Sequence, residues 1–354
     1  MTRVAVYPAD LGGCGMYRMV WPAQALADQG ADVQLVMPDA PADEQMHCWW
    51  WGDDEADVFD VDAPDADVIV LQRPLQAHLV RAILKLQAKG VRVVVEIDDD
   101  FEAIHPQNVS WATCHPSRSP DRNWSHLRHA CQLADLVTVT TPALAARYGA
   151  HGRVAVVPNC VPERLLGVHR DPHDGLWMGW SGSVATHPTD LQAAGGGIAR
   201  AIRSTGAHFA VIGTGQGVQR ALGLPEPPRA SGWRPIDEYH EALGQLDVGV
   251  VPLALTAFNE AKSWLKGLEM AAVGVPFVAS STGPYRQLEA LGAGTVAGKP
   301  RRWEAELKGL LSSAVYRGEM ADQGREAARR LTIEGNCGRW WDAWASVVNA
   351  RSAA

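Results

Sequence analysis

Short β-branched runs alternate with amphipathic stretches along almost the whole chain. Compact apolar runs mark buried parallel strands, and apolar stripes at i, i+3 and i+4 mark the helices that cover them. On this pattern strands are expected at Val4–Tyr7, Val33–Val36, Val68–Leu71, Val91–Glu96, Leu136–Val139 and Val154–Val157. Helices are expected near Met16–Gln29, Gln76–Lys89, Asp121–Ala134 and Pro142–Tyr148. A Pro-, Gly- and His-rich stretch, Pro162–Gly175, interrupts the pattern, which then restarts with strands at Leu176–Trp180, His208–Ile212, Val248–Val251 and Pro276–Ala279. Helices follow near Asp190–Arg203, Ile236–Gln245 and Ala261–Val273, and then amphipathic helices at Pro300–Val315, Met320–Leu331 and Gly338–Val347.

Strand–helix alternation of this kind predicts βαβ units and parallel sheets. The expected fold class is α/β, with two Rossmann-like doubly wound domains facing a cleft. At 354 residues the chain is longer than a single core accommodates. The expected division is 1–165, 166–335 and a terminal helix, 336–354, packing back on the first domain through Trp340, Trp341 and Trp344.

Composition narrows the picture. A hydrophobic content of 47% fills two cores. No run approaches the roughly 20 apolar residues of a membrane span, so no transmembrane segment is expected. "MTRVAVYPADLGG" enters a strand directly and lacks the regions of a signal peptide, which predicts a cytoplasmic protein. The six cysteines form neither a CxxC pair nor a Cys/His cluster and read as reduced thiols rather than a disulfide frame or zinc site. Of the net charge of −8, residues 1–165 carry 13 Lys and Arg against 22 Asp and Glu, the remainder 19 against 18. Much of the acidity lies in "DDEADVFDVDAPDADV", Asp53–Val68, expected to be a solvated surface connection. Such a balance disfavours bulk nucleic-acid binding without excluding a local basic groove.

Candidate chemistry lies in the loops beyond the strands' carboxyl ends, where open parallel sheets bind ligands. "ADLGGCGMYR" runs from strand to helix through Gly12, Gly13 and Gly15, where backbone can approach a ligand and a helix N-terminus can meet an anion. It is not GxGxxG, which argues against a dinucleotide site, and a plain tight turn is the competing reading. "MGWSGSVATH" is expected to leave its strand at Trp180 and open into Ser181, Gly182 and Ser183, and "VIGTGQG" to leave at Ile212 into Gly213, Thr214 and Gly215. In "FNEAKSWLKGLEMAAVGVPFVAS", Lys262, Lys266 and Glu269 fall at i, i+4 and i+7, one face of a single helix. A solvated ion-paired face would look the same. Together with the small-residue loops, however, this face offers cations to a diphosphate and a carboxylate to two ribose hydroxyls.

Residues 258–281 resemble the nucleotide-sugar signature of GT-B glycosyltransferases of the retaining family-4 type. That signature is an acidic residue, seven positions, then Glu-Ala-Met-Ala-x-Gly-x-Pro-Val-Ile-Ala-Ser. Its second half is matched by Glu269 to Ser280, and the likeness extends to "GGCG", "VVPN", "GWSGS" and "LDVGVVPL". Ala261 stands where the first acid would lie, with Glu260 beside it. "FNxAKSxLKxLE" is similar to a phage and bacterial subgroup, so the cytoplasm would be that of the host if the protein is phage-encoded. The resemblance implies a nucleoside-diphosphate sugar as donor, UDP-sugar favoured, and no required cofactor or metal. It assigns Glu269 to the ribose, Lys262, Ser263 and Lys266 to the pyrophosphate, and Asn259 with Glu260 to the sugar, with Gly12, Gly13, Gly182, Ser183 and Thr214 completing the donor cradle. Lys262, Lys266, Glu260 and Asp99 are the candidate catalytic groups.

On the acceptor side the family's histidine after the fourth large strand is missing, and "EIDDDFEAIH" stands there. Asp98, Asp99 and Asp100 would hold a metal in a different glycosyltransferase fold; here one Asp capping and another facing the acceptor hydroxyl is preferred. Arg18, Trp111 and Arg118 join Asp98 and Asp100 as acceptor candidates. In Asn108–Ala130, aromatics interleave with Arg118, Arg122 and Arg128, a mixture suited to bases or sugars, and also to an exposed loop leading into a helix. The resemblance makes a hydroxymethylated pyrimidine in DNA the leading acceptor, which a site must extrude or reach in the groove. A cell-surface polysaccharide or small molecule is the alternative. "QMHCWWWGDD", with Trp49–Trp51, is either an acceptor platform or a buried cluster. An epimerase or nucleotide-sugar binding protein on the same fold is the reading of another class, separable by product analysis.

Overall fold

The computed structural model describes residues 2–37, 46, 48–50, 57–62 and 65–349. It forms two compact units: residues 1–106, 110–159 and 333–354 in unit 1, and residues 107–109 and 160–332 in unit 2. The crossings fall at Asn159/Cys160 and Thr332/Ile333 rather than at 165/166 and 335/336, and hydrogen bonds explain why. Val157 and Asn159 are held by Arg18 within unit 1, whereas Val161 donates its N–H to Leu331 and bridges to Thr332 within unit 2.

Unit 1 has a six-stranded parallel sheet in the order β2-β1-β5-β6-β7-β8. Its strands are β1 (Val4–Tyr7), β2 (Val33–Leu35), β5 (Val68–Gln72), β6 (Arg92–Ile97), β7 (Leu136–Val139) and β8 (Val154–Val156). Between β2 and β5, β3 (Cys48–Trp50) and β4 (Val58–Val61) pair antiparallel. The acidic stretch is therefore not simply a solvated connection: β4 lies within it and buries Val58 and Val61. Trp49 is 41% exposed, which rules out a wholly buried tryptophan cluster; Trp51 and Asp53 lie outside the described residues. Every residue of β1, β5 and β7 is buried, as expected where helices cover both faces. The terminal helix Gly338–Asn349 packs on this sheet with Trp340 and Trp344 fully buried.

Unit 2 repeats the design with β9 (Trp177–Ser183), β10 (His208–Thr214), β11 (Arg229–Ala230), β12 (Val248–Val251), β13 (Phe277–Ser280) and β14 (Thr295–Ala297), in the order β11-β10-β9-β12-β13-β14. Each sheet reverses direction once, between β1 and β5 and between β9 and β12. The crevice outside the carboxyl ends at such a reversal is where doubly wound sheets take ligands. Among the described residues no helix is long and apolar enough to cross a membrane.

Three elements depart from expectation. β9 and β10 run on to Ser183 and Thr214 instead of opening at Trp180 and Ile212. Gly182 and Gly213 pair directly at φ +146° and +131°, and a Cβ on Gly213 would lie 2.3 Å from the Gly182 carbonyl oxygen, so only glycine keeps the strands together there. The helix expected over Asp190–Arg203 is broken by Gly195 and Gly196 at positive φ. Finally, Ala261–Val273 is not one helix: Ala257–Ala261 ends with Lys262 extended, and a new helix spans Leu265–Ala272. Ser263 Oγ accepts the Leu265 N–H, a local side-chain bond that competes with helix continuation.

Candidate functional site

The break between the two short helices rearranges the expected cationic face. Lys266 and Glu269 share the helix Leu265–Ala272, while Lys262 stands at the end of the preceding helix with its ammonium 4.5 Å from the Phe258 ring centroid. Lys266 reaches the carboxyl end of β9, where its Nζ donates to the Ser181 carbonyl at 2.9 Å and lies 3.2 Å from His187 Nε2. His187 Nδ1 is 2.7 Å from Asp190 Oδ2. The other Asp190 oxygen accepts the Ala254 N–H at 3.0 Å and the Asn259 amide at 2.6 Å, and that amide also donates to the Ala254 carbonyl. A chain Lys266–His187–Asp190–Asn259 thus ties the segments after β9 and β12 together at the sheet's reversal.

Electrostatics fixes the protonation pattern. Burial first, and then the Lys266 charge, lowers the His187 pKa from 6.5 to about 4. The imidazole is neutral, with Nδ1–H donated to Asp190 and the Nε2 lone pair facing Lys266. Burial works to raise the Asp190 pKa, but the His187 bond and the Ala254 and Asn259 donors bring it below the usual carboxylate value. Lys266 thus has a carbonyl and a neutral ring among its neighbours.

Glu269 is buried. Its Oε2 accepts the Tyr239 hydroxyl at 2.9 Å, and His240 Nε2 lies 3.7 Å from Oε1. Burial and then Glu269 push the Tyr239 pKa well up, so the phenol stays protonated and donates. Ser183 Oγ accepts from Thr214 Oγ1 at 2.8 Å at the paired tips of β9 and β10, and Gly182 lies under Lys266. Asn259 is buried: its Nδ2 donates to Asp190 and the Ala254 carbonyl, while its Oδ1 has no hydrogen-bond partner among the described residues. Glu260 Oε2 accepts the Gly283 N–H at 3.0 Å.

In unit 1 the acceptor candidates separate. Arg18 is 1% exposed: its Nε donates to Glu96 at 2.7 Å, its Nη1 to the Val157 carbonyl and Asn159, and its guanidinium lies over Trp340. That corrects Arg18 from a ligand contact to a core ion pair, placed by the π-helical turn Met16–Val20. Asp100 is turned away to Arg147 and Tyr148, while Asp98 lies 3.7 Å from Arg73 and Asp99 is partly exposed between them. Trp111 stacks on His115 at 4.3 Å, and Arg118 is exposed. Asn108, at the start of the aromatic segment, belongs to unit 2, where its amide donates to the Thr186 carbonyl. Gly12 and Gly13 are exposed; Gly15 is the constrained glycine, since a Cβ there would lie 1.7 Å from the Asp10 carbonyl oxygen. Among the described residues no three His, Cys, Asp or Glu side chains form a metal-holding group.

Sequence reasoning missed His187, Asp190, Tyr239 and His240. The first two stand three apart in "HPTD" directly after the β9 loop, a spacing that could have singled them out. Tyr239 and His240 lie some thirty residues before Glu269, and no local pattern joins them to it.

No family model and no curated protein matches this chain. Among solved structures it is similar to a sucrose-phosphate synthase from Thermosynechococcus elongatus, at 14% identity and TM-score 0.63 over 99% of this chain and 100% of that one. It is similar to HepE of Anabaena in complex with UDP, at 14% identity and TM-score 0.61 over 98% of this chain and 100% of that one. A glycosyltransferase from Rickettsia africae aligns at 9% identity and TM-score 0.65 over 98% of each. At such identities the likeness is one of fold: two Rossmann-like α/β domains, the GT-B fold of these glycosyltransferases.

Proposed function

We propose that this protein is a retaining glycosyltransferase, family-4-like in its signature, that moves a sugar from a nucleoside-diphosphate sugar to an acceptor hydroxyl, with UDP-sugar the favoured donor. The observation that carries this reading is Lys266, held by Ser181 and neutral His187 at the reversal of the unit 2 sheet, one turn before buried Glu269. An ammonium at the carboxyl ends of the strands can form charge-assisted hydrogen bonds to an anionic ligand. Structures of similar fold in complex with UDP, and with UDP and glucose, support the donor class.

As the sugar leaves, charge grows on the diphosphate. Lys266, Lys262 and the N–H groups opening the helix Leu265–Ala272 stabilise that charge more in the transition state than in the ground state. Asp190 and Asn259 act as positioning residues, setting the His187 tautomer that steers Lys266. Glu269, oriented by Tyr239, accepts the ribose hydroxyls; Ser263 and Glu260 contact phosphate and sugar. The acceptor hydroxyl attacks from the face the diphosphate leaves, and the departing phosphate takes its proton, so no separate strong base and no metal is required.

The hydroxymethylated pyrimidine of DNA has weaker support. Trp111 is stacked on His115, and Arg128 is paired with Glu102 beneath Trp124, so these rings and cations already engage one another.

The deciding experiment is a thermal-shift panel of UDP-, GDP-, ADP- and TDP-sugars on the wild type and on Glu269→Ala, since a ligand that binds only the native state raises the melting temperature. A selective shift by UDP-sugars, lost in the variant, supports the reading. Equal shifts in both proteins would remove the site, and no shift with any nucleotide would remove the donor class.

A further inference from the structure

Residues 107–109 belong to unit 2, although Pro106 before them and Ser110 after them are unit 1 residues. Two hydrogen bonds hold them there. The Asn108 Nδ2 donates to the Thr186 carbonyl at 2.8 Å, and the Val109 N–H donates to the Ala185 carbonyl at 3.1 Å. Asn108 is 7% exposed and Val109 58%, so the segment inserts a polar side chain and leaves its apolar neighbour outside. That inverts the usual preference, in which valine is buried and asparagine exposed. Hydrogen bonding, rather than apolar burial, therefore decides how this segment is seated.

The loop it grips, Ser183–His187, is folded on a single residue. The Ser183 carbonyl accepts the Thr186 and His187 N–H groups and the Thr186 hydroxyl, and the Ser183 Oγ accepts the Ala185 N–H. His187 ends the loop, and its ring lies 3.2 Å from Lys266 Nζ and 2.7 Å from Asp190. The Thr186 carbonyl and the His187 N–H share one planar peptide unit. Ser183 holds the N–H end of that plane and Asn108 the oxygen end, which fixes the direction in which the His187 side chain departs. Resting on the glycosyltransferase reading above, we infer that Asn108 is a positioning residue for sugar transfer, setting through this peptide where the imidazole meets Lys266 and so where the ammonium meets the departing diphosphate. Lys266, Lys262 and Asp190 all act on the His187 ring, and the Trp180 ring stands edge-on at 6.1 Å, so the titration of His187 reports its place among them.

The test joins NMR titration of isotope-labelled histidine in the full chain to steady-state kinetics with the UDP-sugar identified by the panel, on the wild type, Asn108→Leu and Asn108→Ala. Leucine keeps the branched shape of the side chain without its donor, alanine removes both, and His187→Gln identifies the His187 signal. In the wild type the His187 midpoint is expected at about 4, where burial and Lys266 hold it. Each Asn108 variant should raise that midpoint by at least about one pH unit, towards the ordinary 6.5, as the ring moves away from Lys266. Each should also lower kcat about tenfold, the scale of a small misplacement of a catalytic group, with KM for the nucleotide sugar changed less than about twofold. A merely structural role would lower the melting temperature and leave the His187 midpoint in place, and that result would overturn the inference. An unchanged kcat in variants that transfer sugar would overturn it equally. A raised midpoint in a protein that turns over no nucleotide sugar would uphold the seating of His187 by Asn108 and overturn the glycosyltransferase reading instead.

Discussion

The two sheet reversals are built on the same backbone plan yet give their basic residues different hydrogen-bonding neighbours. In unit 1, Arg73 is met by Asp10 and Asp98, and its charge is spent inside the protein. In unit 2, Lys266 meets a carbonyl and an imidazole whose pKa is lowered to about 4. A guanidinium met by carboxylates and an ammonium met by a carbonyl and an imidazole present different hydrogen-bonding faces. What distinguishes the sites is thus the second residue of each pair rather than the first.

The largest effect should come from removing the Lys266 charge. Lys266→Met is expected to lower turnover with the UDP-sugar identified by the panel by about 100- to 1000-fold, the usual cost of losing one preorganised donor. Steady-state rates on a variant of unchanged melting temperature check it, and a loss under tenfold would mean that the charge at this reversal is not catalytic. Next comes pH. His187 has a folded pKa of about 4 against about 6.5 when unfolded, so the unfolded chain takes up a proton first. Its contribution is fully present above about pH 6.5 and is lost as pH falls towards 4, by up to about 3 kcal/mol at about 1.4 kcal/mol per unit. Urea midpoints across that range should fall less steeply in His187→Gln than in the wild type; parallel curves would show that His187 is not the group responsible. The smallest change converts one design into the other. His187→Glu sets a carboxylate against Lys266, as Asp10 is set against Arg73, and should weaken UDP binding about tenfold by calorimetry, a cost of about 1.4 kcal/mol. Unchanged affinity would remove the distinction between the two pairs.

How much of this was legible depended on how locally each feature is encoded. The buried strands around Val68–Leu71 and Val248–Val251 announced themselves as apolar runs, and Lys266 with Glu269 could be found because one helix turn joins them. The stop at Lys262–Trp264 was hidden because Lys262 turns extended within an otherwise continuous pattern, beside a local Ser263 hydroxyl bond to the Leu265 N–H. Arg18 misled for the opposite reason. Its position after a glycine loop suits phosphate, but its partners Glu96 and Asn159 arrive from 78 and 141 residues away, a distance no periodicity reports.

The tail of the chain has a consequence for synthesis. Trp340 donates its indole N–H to the Arg18 carbonyl and lies beneath that residue's guanidinium. On a ribosome, which delivers residues in order, unit 2 has all of residues 160–332 before these tryptophans emerge, while unit 1 waits with Arg18 and Glu96 uncovered. The unit that begins the chain is the last to be finished.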